Sequence, residues 1–300
     1  MEQNNRKGIA FALLAAALYA LNAPFSKILL YSIPPTLMAG FLYLGAGAGM
    51  ILIACVRKLR KTQIKEQQLT KEELPYTLAM ILLDIAAPIC LMIGLNATTA
   101  ANAALLNNFE IVATALIALM FFREKISPRL WLGILFVTLS CAILSFEDLS
   151  SLRFSYGSLF VLLAAVFWGF ENNCTRKISS KDPLQIVLLK GVFSGSGSIL
   201  IGLFIGERTS NFWSIPAVLV IGFVAYGLSI YFYVYAQRLL GAARTSAYYA
   251  IAPFIAAFLS LLIFREFPKA SYFAALALMI VGTWLSSQDK PLFASRKAVK

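Results

Sequence analysis

Four ionisable residues sit inside long apolar stretches of this 300-residue sequence: Asp84, Glu110, Glu171 and Lys190. Charge in such surroundings is costly and belongs to ion pairs, substrate sites or proton relays. Asp84 and Glu110 fall near the middle of their stretches. Glu171 and Lys190 fall at similar depth, so an ion pair between them is geometrically reasonable, as a strut or as part of a binding site. Polar and aromatic neighbours recur at helical spacing. Trp168, Glu171, Asn172 and Thr175 share one face, as do Tyr19, Asn22 and Ser26. Ala103, Asn107, Glu110 and Thr114 form a third face. Thr245, Tyr249, Ala252 and Ala256 form a fourth, and Tyr226, Ser229, Tyr233 and Gln237 a fifth. Such stripes can glue helices together or line a cavity.

Taken as a cavity, these residues suit a small polar organic solute. The candidate binding residues are Tyr19, Asn22, Asp84, Asn107, Glu110, Trp168, Glu171, Asn172, Lys190, Tyr226, Tyr233 and Tyr249. Three acids, one base and several aromatic rings favour a cation by Coulomb and cation–π attraction. A zwitterionic amino acid also fits, with its ammonium near the acids and its carboxylate near Lys190. Phosphorylated solutes fit poorly, because one lysine is too little countercharge. Glu110 has Asn107 one turn away, and its own stretch holds no basic partner. Desolvation disfavours the charged form of a lone carboxylate, which makes Glu110 the first choice for a residue coupling to protons. Asp84 has a structural explanation beside Pro88. Pro24, Pro88 and Pro253 lie inside apolar stretches and free the carbonyls of Ala20, Asp84 and Tyr249. They are candidate hinges.

Other chemistries are excluded or unsupported. Histidine is absent, so there is no His-based catalysis and no His-ligated metal. Cys55, Cys90, Cys141 and Cys174 are far apart and form no CxxC pair, which argues against a metal centre or a disulfide framework. No nucleotide-binding motif and no cofactor signature is present. A membrane-embedded enzyme acting on a lipid or small molecule is the alternative reading, but no GxSxG elbow or paired Asp-x-x-Asp supports it. A sensor would need an appended soluble domain, for which the tail 288–300 is too short.

The elements that must position these residues are membrane spans. Apolar residues make up 60% of the chain and charged ones 13%, against about 45–50% and about 25% in soluble domains. Ten stretches approach the roughly 20 apolar residues that a spanning helix needs: 8–30, 34–56, 74–95, 99–122, 130–146, 157–177, 183–206, 215–237, 245–264 and 270–287. The first is too long for a cleavable signal peptide. Placing both termini in the cytoplasm puts 20 Lys and Arg inside and 5 outside, with Lys190 within a span. This asymmetry accounts for the net charge of +12 without a nucleic-acid partner. The expected location is the plasma membrane, and monomer or homodimer stays open.

The two halves repeat. Gly8-Ile-Ala-Phe-Ala-Leu-Leu-Ala-Ala aligns with Gly157-Ser-Leu-Phe-Val-Leu-Leu-Ala-Ala, continuing through Tyr19/Trp168, Asn22/Glu171, Ser26/Thr175 and Lys27/Arg176. Pro35 and Gly47-Ala-Gly49 match Pro183 and Gly195-Ser-Gly197, and Phe122-Arg123-Glu124 matches Phe264-Arg265-Glu266. Five spans per half is an odd number, so the second copy enters the membrane upside down. The expected fold is an all-α polytopic membrane protein of two inverted five-helix repeats, residues 1–149 and 150–300. Gly45, Gly47 and Gly49 in span 2 and Gly191, Gly195 and Gly197 in span 7 read as packing or sliding faces. Spans 1, 3, 4, 6, 8 and 9 are expected to line the cavity, with spans 5 and 10 peripheral.

This pattern, with paired Phe-Arg-Glu ends of spans 4 and 9, resembles the EamA-type branch of the drug/metabolite transporter superfamily over residues 8–287. The resemblance implies a secondary transporter working by alternating access on amino acids, other metabolites or organic cations, often outward; protons as a coupling ion rest on the reading of Glu110. The family's basic residue early in the second span of each repeat is matched by Lys190; the aligned position in the first half is Leu42.

Overall fold

The computed structural model describes residues 2–60, 66–122, 126–148, 153–178, 180–209, 211–240, 245, 248–266 and 268–287. Span 1 comprises α1 (Glu2–Ala20) and α2 (Asn22–Leu29), and span 2 is α3 (Pro35–Leu59). Span 3 is α4 (Leu74–Ala97), span 4 is α5 (Ala100–Leu106) with α6 (Phe109–Phe122), and span 5 is α7 (Pro128–Ser145). Span 6 is α8 (Tyr156–Ile178). Span 7 runs through α9 (Pro183–Leu189), a π-helical stretch at Lys190–Ser194 and α10 (Gly195–Phe204). Span 8 runs through α11 (Ile215–Ile221), a second π-helical stretch at Gly222–Leu228 and α12 (Ser229–Leu240). Span 9 ends in α13 (Ala252–Phe264), and span 10 is α14 (Ala270–Ser287).

The helix starts follow local rules. Proline occupies the first turn of α3, α4, α7, α9 and α11, where its missing N–H costs nothing. Thr99, Ser127 and Asp182 cap the first turns of α5, α7 and α9 with side-chain oxygens. By length and composition, seven of the described helical stretches can cross a bilayer, and Ala252–Phe264 and Ala270–Ser286 are shorter apolar helices. The tenth stretch, α8, has 23 residues and is diluted by Glu171, Asn172 and Asn173.

Besides the π-helical stretches and the break between α1 and α2, a hairpin and two further helix breaks depart from ten plain helices. A short antiparallel hairpin, β1 (Phe146–Asp148) with β2 (Arg153–Phe154), joins the halves. Span 4 is interrupted: Glu110 N donates to Asn107 O at 3.1 Å and Ile111 N to Asn108 O at 3.0 Å, three residues back instead of four. Adjacent asparagines, whose side chains compete with the helical ladder, explain the break. Span 9 breaks at the repeat-equivalent place, just ahead of α13, where Phe254 N donates to Ile251 O at 3.1 Å. Pro253 stands in the first turn after this break, whereas α4 runs on through Pro88.

Packing obeys the repeat. Span 3 lies along span 6, and span 8 along span 1; span 2 pairs with span 7, span 4 with span 9 and span 5 with span 10. Exchanging the halves maps this set of pairs onto itself, the signature of a pseudo-two-fold axis between inverted five-helix repeats. Glycine permits the closest crossings. A Cβ on Gly222 would lie 2.0 Å from Leu42 O, one on Gly45 2.1 Å from Leu219 O, and one on Gly191 2.3 Å from Gly47 N. Spans 5 and 10 also meet through glycines, Gly133 against Gly282. Trp131, Leu135, Phe273 and Ile280 are exposed on the outward faces of that pair.

Candidate functional site

The charged residues converge at the junction of spans 3, 6 and 7. Lys190 Nζ donates to Glu171 Oε1 and lies 3.3 Å from Asp84 Oδ2. The three residues are 6%, 4% and 1% exposed in that order. Thr175 also donates to Glu171 Oε1, and Tyr43 OH donates to Asp84 Oδ1 at 2.9 Å. The expected Glu171–Lys190 pair is therefore present, and Asp84 joins it as a third member. Span 7 is π-helical from Lys190 onward, a widening often found at functional positions. Tyr43 was not among the residues singled out from the sequence. Its signal was there, a tyrosine set between Gly40, Gly45 and Gly47, but the stripe reads as packing alone.

A neutral junction answers the charged one across the axis. The 142-residue step that relates Asn107 to Tyr249 places Tyr226 opposite Asp84, while Asn22 answers Glu171 and Leu42 answers Lys190. Asn22 Nδ2 donates to Tyr226 OH at 3.0 Å, and Ser26 Oγ donates to Asn22 Oδ1 at 2.9 Å. Tyr43 links the junctions, its ring centroid 5.1 Å from that of Tyr226. The Tyr19 ring touches both Tyr226 and Tyr249, and Tyr233 packs on Tyr249 at 4.9 Å.

Glu110 is less isolated than its span suggests. Asn172 Nδ2 donates to Glu110 Oε1 at 2.6 Å and to Thr114 Oγ1 at 3.4 Å, tying span 6 to span 4. Asn173 reinforces the tie by donating to Thr114 O. Trp168 is buried in the main core.

Next to these groups lies a cavity of about 20 Å³, lined by Tyr19, Asn22 and Asn107 at its polar end. Leu91, Leu95, Ala104, Pro253 and Ala256 belong to its apolar wall. A water needs roughly 10–15 Å³, so the space has room for a water or two. Spans 1, 3, 4 and 9 supply the lining. Spans 6 and 8, expected to line it too, contribute no lining residue: on span 8, Tyr226 packs onto the lining Tyr19 and Tyr233 onto Tyr249. Both interrupted helices border the cavity. Asn107 Nδ2 donates to Tyr19 OH at 3.2 Å, while Asn107 Oδ1 is buried without a hydrogen-bond partner. At the end of the bundle beyond the cavity, Lys27 spends three hydrogen bonds on the carbonyls of Leu95, Asn96 and Thr98. Arg123, Glu124, Lys125 and Arg244, and the side chain of Gln237, lie outside what is described, and no grouping of His, Cys, Asp and Glu among the described residues could hold a metal ion.

Inverted helical halves and discontinuous helices beside a small cavity with one polar end fit a polytopic membrane transporter. The family model described as "EamA-like transporter family" matches residues 6–146 and again 155–288, and the chain belongs to that family. It is 27% identical over 140 residues to a protein of Methanothermobacter thermautotrophicus described as an uncharacterized transporter. That match covers 42% of this chain and 39% of the relative. A crystal structure superposes with a TM-score of 0.64 at 18% identity, covering 95% of both chains, and shares the fold.

Proposed function

We propose that the protein is a secondary transporter of small organic solutes that carry an amine, with organic cations preferred over zwitterionic amino acids. Its two halves, residues 1–149 and 150–300, exchange roles in alternating access, with Pro24 and Pro253 beside the breaks that flex. Both termini face the cytoplasm of a plasma membrane, following the basic bias of the loops, and net movement is outward. The observation carrying this reading is the unpartnered Asn107 Oδ1 on the cavity between the two interrupted helices. A buried acceptor without a donor calls for an N–H or O–H group, and an ammonium supplies one. Glu110, one turn along, adds negative charge, and the Tyr19 ring adds a cation–π surface. A substrate carboxylate has no such welcome. Lys190 is engaged by Glu171 and Asp84, and Lys27 by backbone carbonyls.

Proteoliposomes test this with radiolabelled agmatine, choline and leucine. Saturable uptake of the cations is expected, with leucine excluded and with Leu91→Trp abolishing uptake while the melting temperature is kept. Uptake of leucine alone overturns the preference for cations. No uptake above empty liposomes overturns the transport reading, and normal uptake by Leu91→Trp removes the cavity from the route.

A further inference from the structure

We propose that Asp84, and not Glu110, is the residue that binds the coupling proton, on its Oδ2 atom. The inference deepens the transport reading above and rests on it only for what the proton is coupled to. Asp84 Oδ2 is a buried carboxylate oxygen that accepts no hydrogen bond, although Lys190 Nζ is 3.3 Å away. Asp84 Oδ1 and Glu171 Oε1, by contrast, are engaged. Oδ1 of Asp84 accepts from Tyr43, and Oε1 of Glu171 accepts from both Lys190 and Thr175. A proton placed on Glu171 Oε1 would displace a hydrogen-bond donor; one placed on Asp84 Oδ2 displaces no hydrogen bond and gives up only the 3.3 Å ion pair with Lys190.

Charge balance points the same way. Two carboxylates share one ammonium in a site out of reach of solvent, leaving one uncompensated negative charge, and burying such a charge is expensive. An O–H bond formed at Oδ2 with a proton from water makes the cluster neutral and keeps the Lys190–Glu171 pair. The same bond breaks to water when the junction of spans 3, 6 and 7 opens. The groups facing Asp84 are Tyr43 from span 2, Glu171 from span 6, Lys190 from span 7 and, at longer range, Glu110 from span 4 and Tyr226 from span 8. Glu110 already accepts a hydrogen bond from Asn172 and stays free to meet a cationic solute. Proton and solute then occupy neighbouring carboxylates, and binding of one disfavours binding of the other only through the field between them.

The sequence offers a clean probe. Its aspartates are Asp84, Asp148, Asp182 and Asp289, and of these only Asp84 lies within a span. Infrared difference spectra of purified wild-type protein between alkaline and acidic pH, with and without carbon-13 carboxyl labelling of aspartate, read the protonated carboxyl directly. The expected result is a carboxylic-acid band that shifts on aspartate labelling, vanishes in Asp84→Asn and persists in Glu110→Gln. A band from a solvent-shielded acid that ignores aspartate labelling, or the absence of any such band, overturns the proposal. The labelling arm needs no variant, so a misfolded Asp84→Asn protein does not block the test. Uptake of agmatine and choline is scored separately. A shifted band without uptake defeats the transport reading alone, and uptake with an unshifted band defeats the proton site alone.

Discussion

The junction of spans 3, 6 and 7 and its counterpart on spans 8, 1 and 2 occupy equivalent places in two inverted repeats, yet one is ionic and the other neutral. Asp84, Glu171 and Lys190 are replaced across the axis by Tyr226, Asn22 and Leu42. The helix pairings are preserved because small residues and backbone contacts set them, and those repeat; the polar contents are free to diverge. One junction is therefore latched by charge, whereas at the equivalent positions of its counterpart Asn22 donates a neutral hydrogen bond to Tyr226. Under the alternating access proposed above, that asymmetry would give the two faces different opening costs. Tyr43 holds Asp84 with its hydroxyl and touches Tyr226 with its ring, so one side chain contacts both junctions.

The comparison can be broken most severely at Lys190. Lys190→Leu copies Leu42 into the charged junction and strands two carboxylates; removing one partner of a buried ion pair costs about 3–5 kcal/mol. The expected outcome is a large drop in melting temperature in detergent, partly recovered by adding Glu171→Asn, which copies Asn22. No recovery would mean that the two junctions are not interchangeable in kind. The next effect is steric. A Cβ on Gly157 meets the Ala97 and Gly94 backbone at 2.8–2.9 Å, whereas one on the equivalent Gly8 meets the Leu240 side chain at 2.6 Å. Overpacking costs about 1–3 kcal/mol, and a side chain yields more readily than backbone. Gly157→Val is expected to lower the melting temperature more than Gly8→Val. The smallest effect belongs to Tyr226→Phe, which keeps the ring and loses one neutral hydrogen bond, worth about 0.5–1.5 kcal/mol. A loss as large as that of Lys190→Leu would show that the neutral junction is no weaker than the charged one.

Much of the architecture was legible in the residues. Ten apolar stretches, the in-order matches from Gly8/Gly157 to Phe122/Phe264 and the four intramembrane charges required no contact information. The Glu171–Lys190 pair also followed from depth alone. Asp84 did not, because spans 3 and 7 are not consecutive and depth does not say which neighbour its side chain faces. Nothing along span 3 reports how that helix is turned about its own axis. Tyr43 was hidden by the glycines around it, which pack span 2 so tightly against spans 7 and 8 that a polar task for the same helix leaves no periodic mark.

The sequence by itself determined that these segments are helices crossing a membrane, since a chain this apolar can satisfy its backbone in lipid only by internal hydrogen bonds. It determined the inverted pairing too, through the repeat and the odd span count. The tertiary structure decided which carboxylate meets Lys190, which hydroxyl meets Asp84 and which four spans enclose the cavity. Those depend on helix rotation and crossing, set by contacts such as Gly222 on Leu42 and Gly191 on Gly47 between residues far apart in the chain.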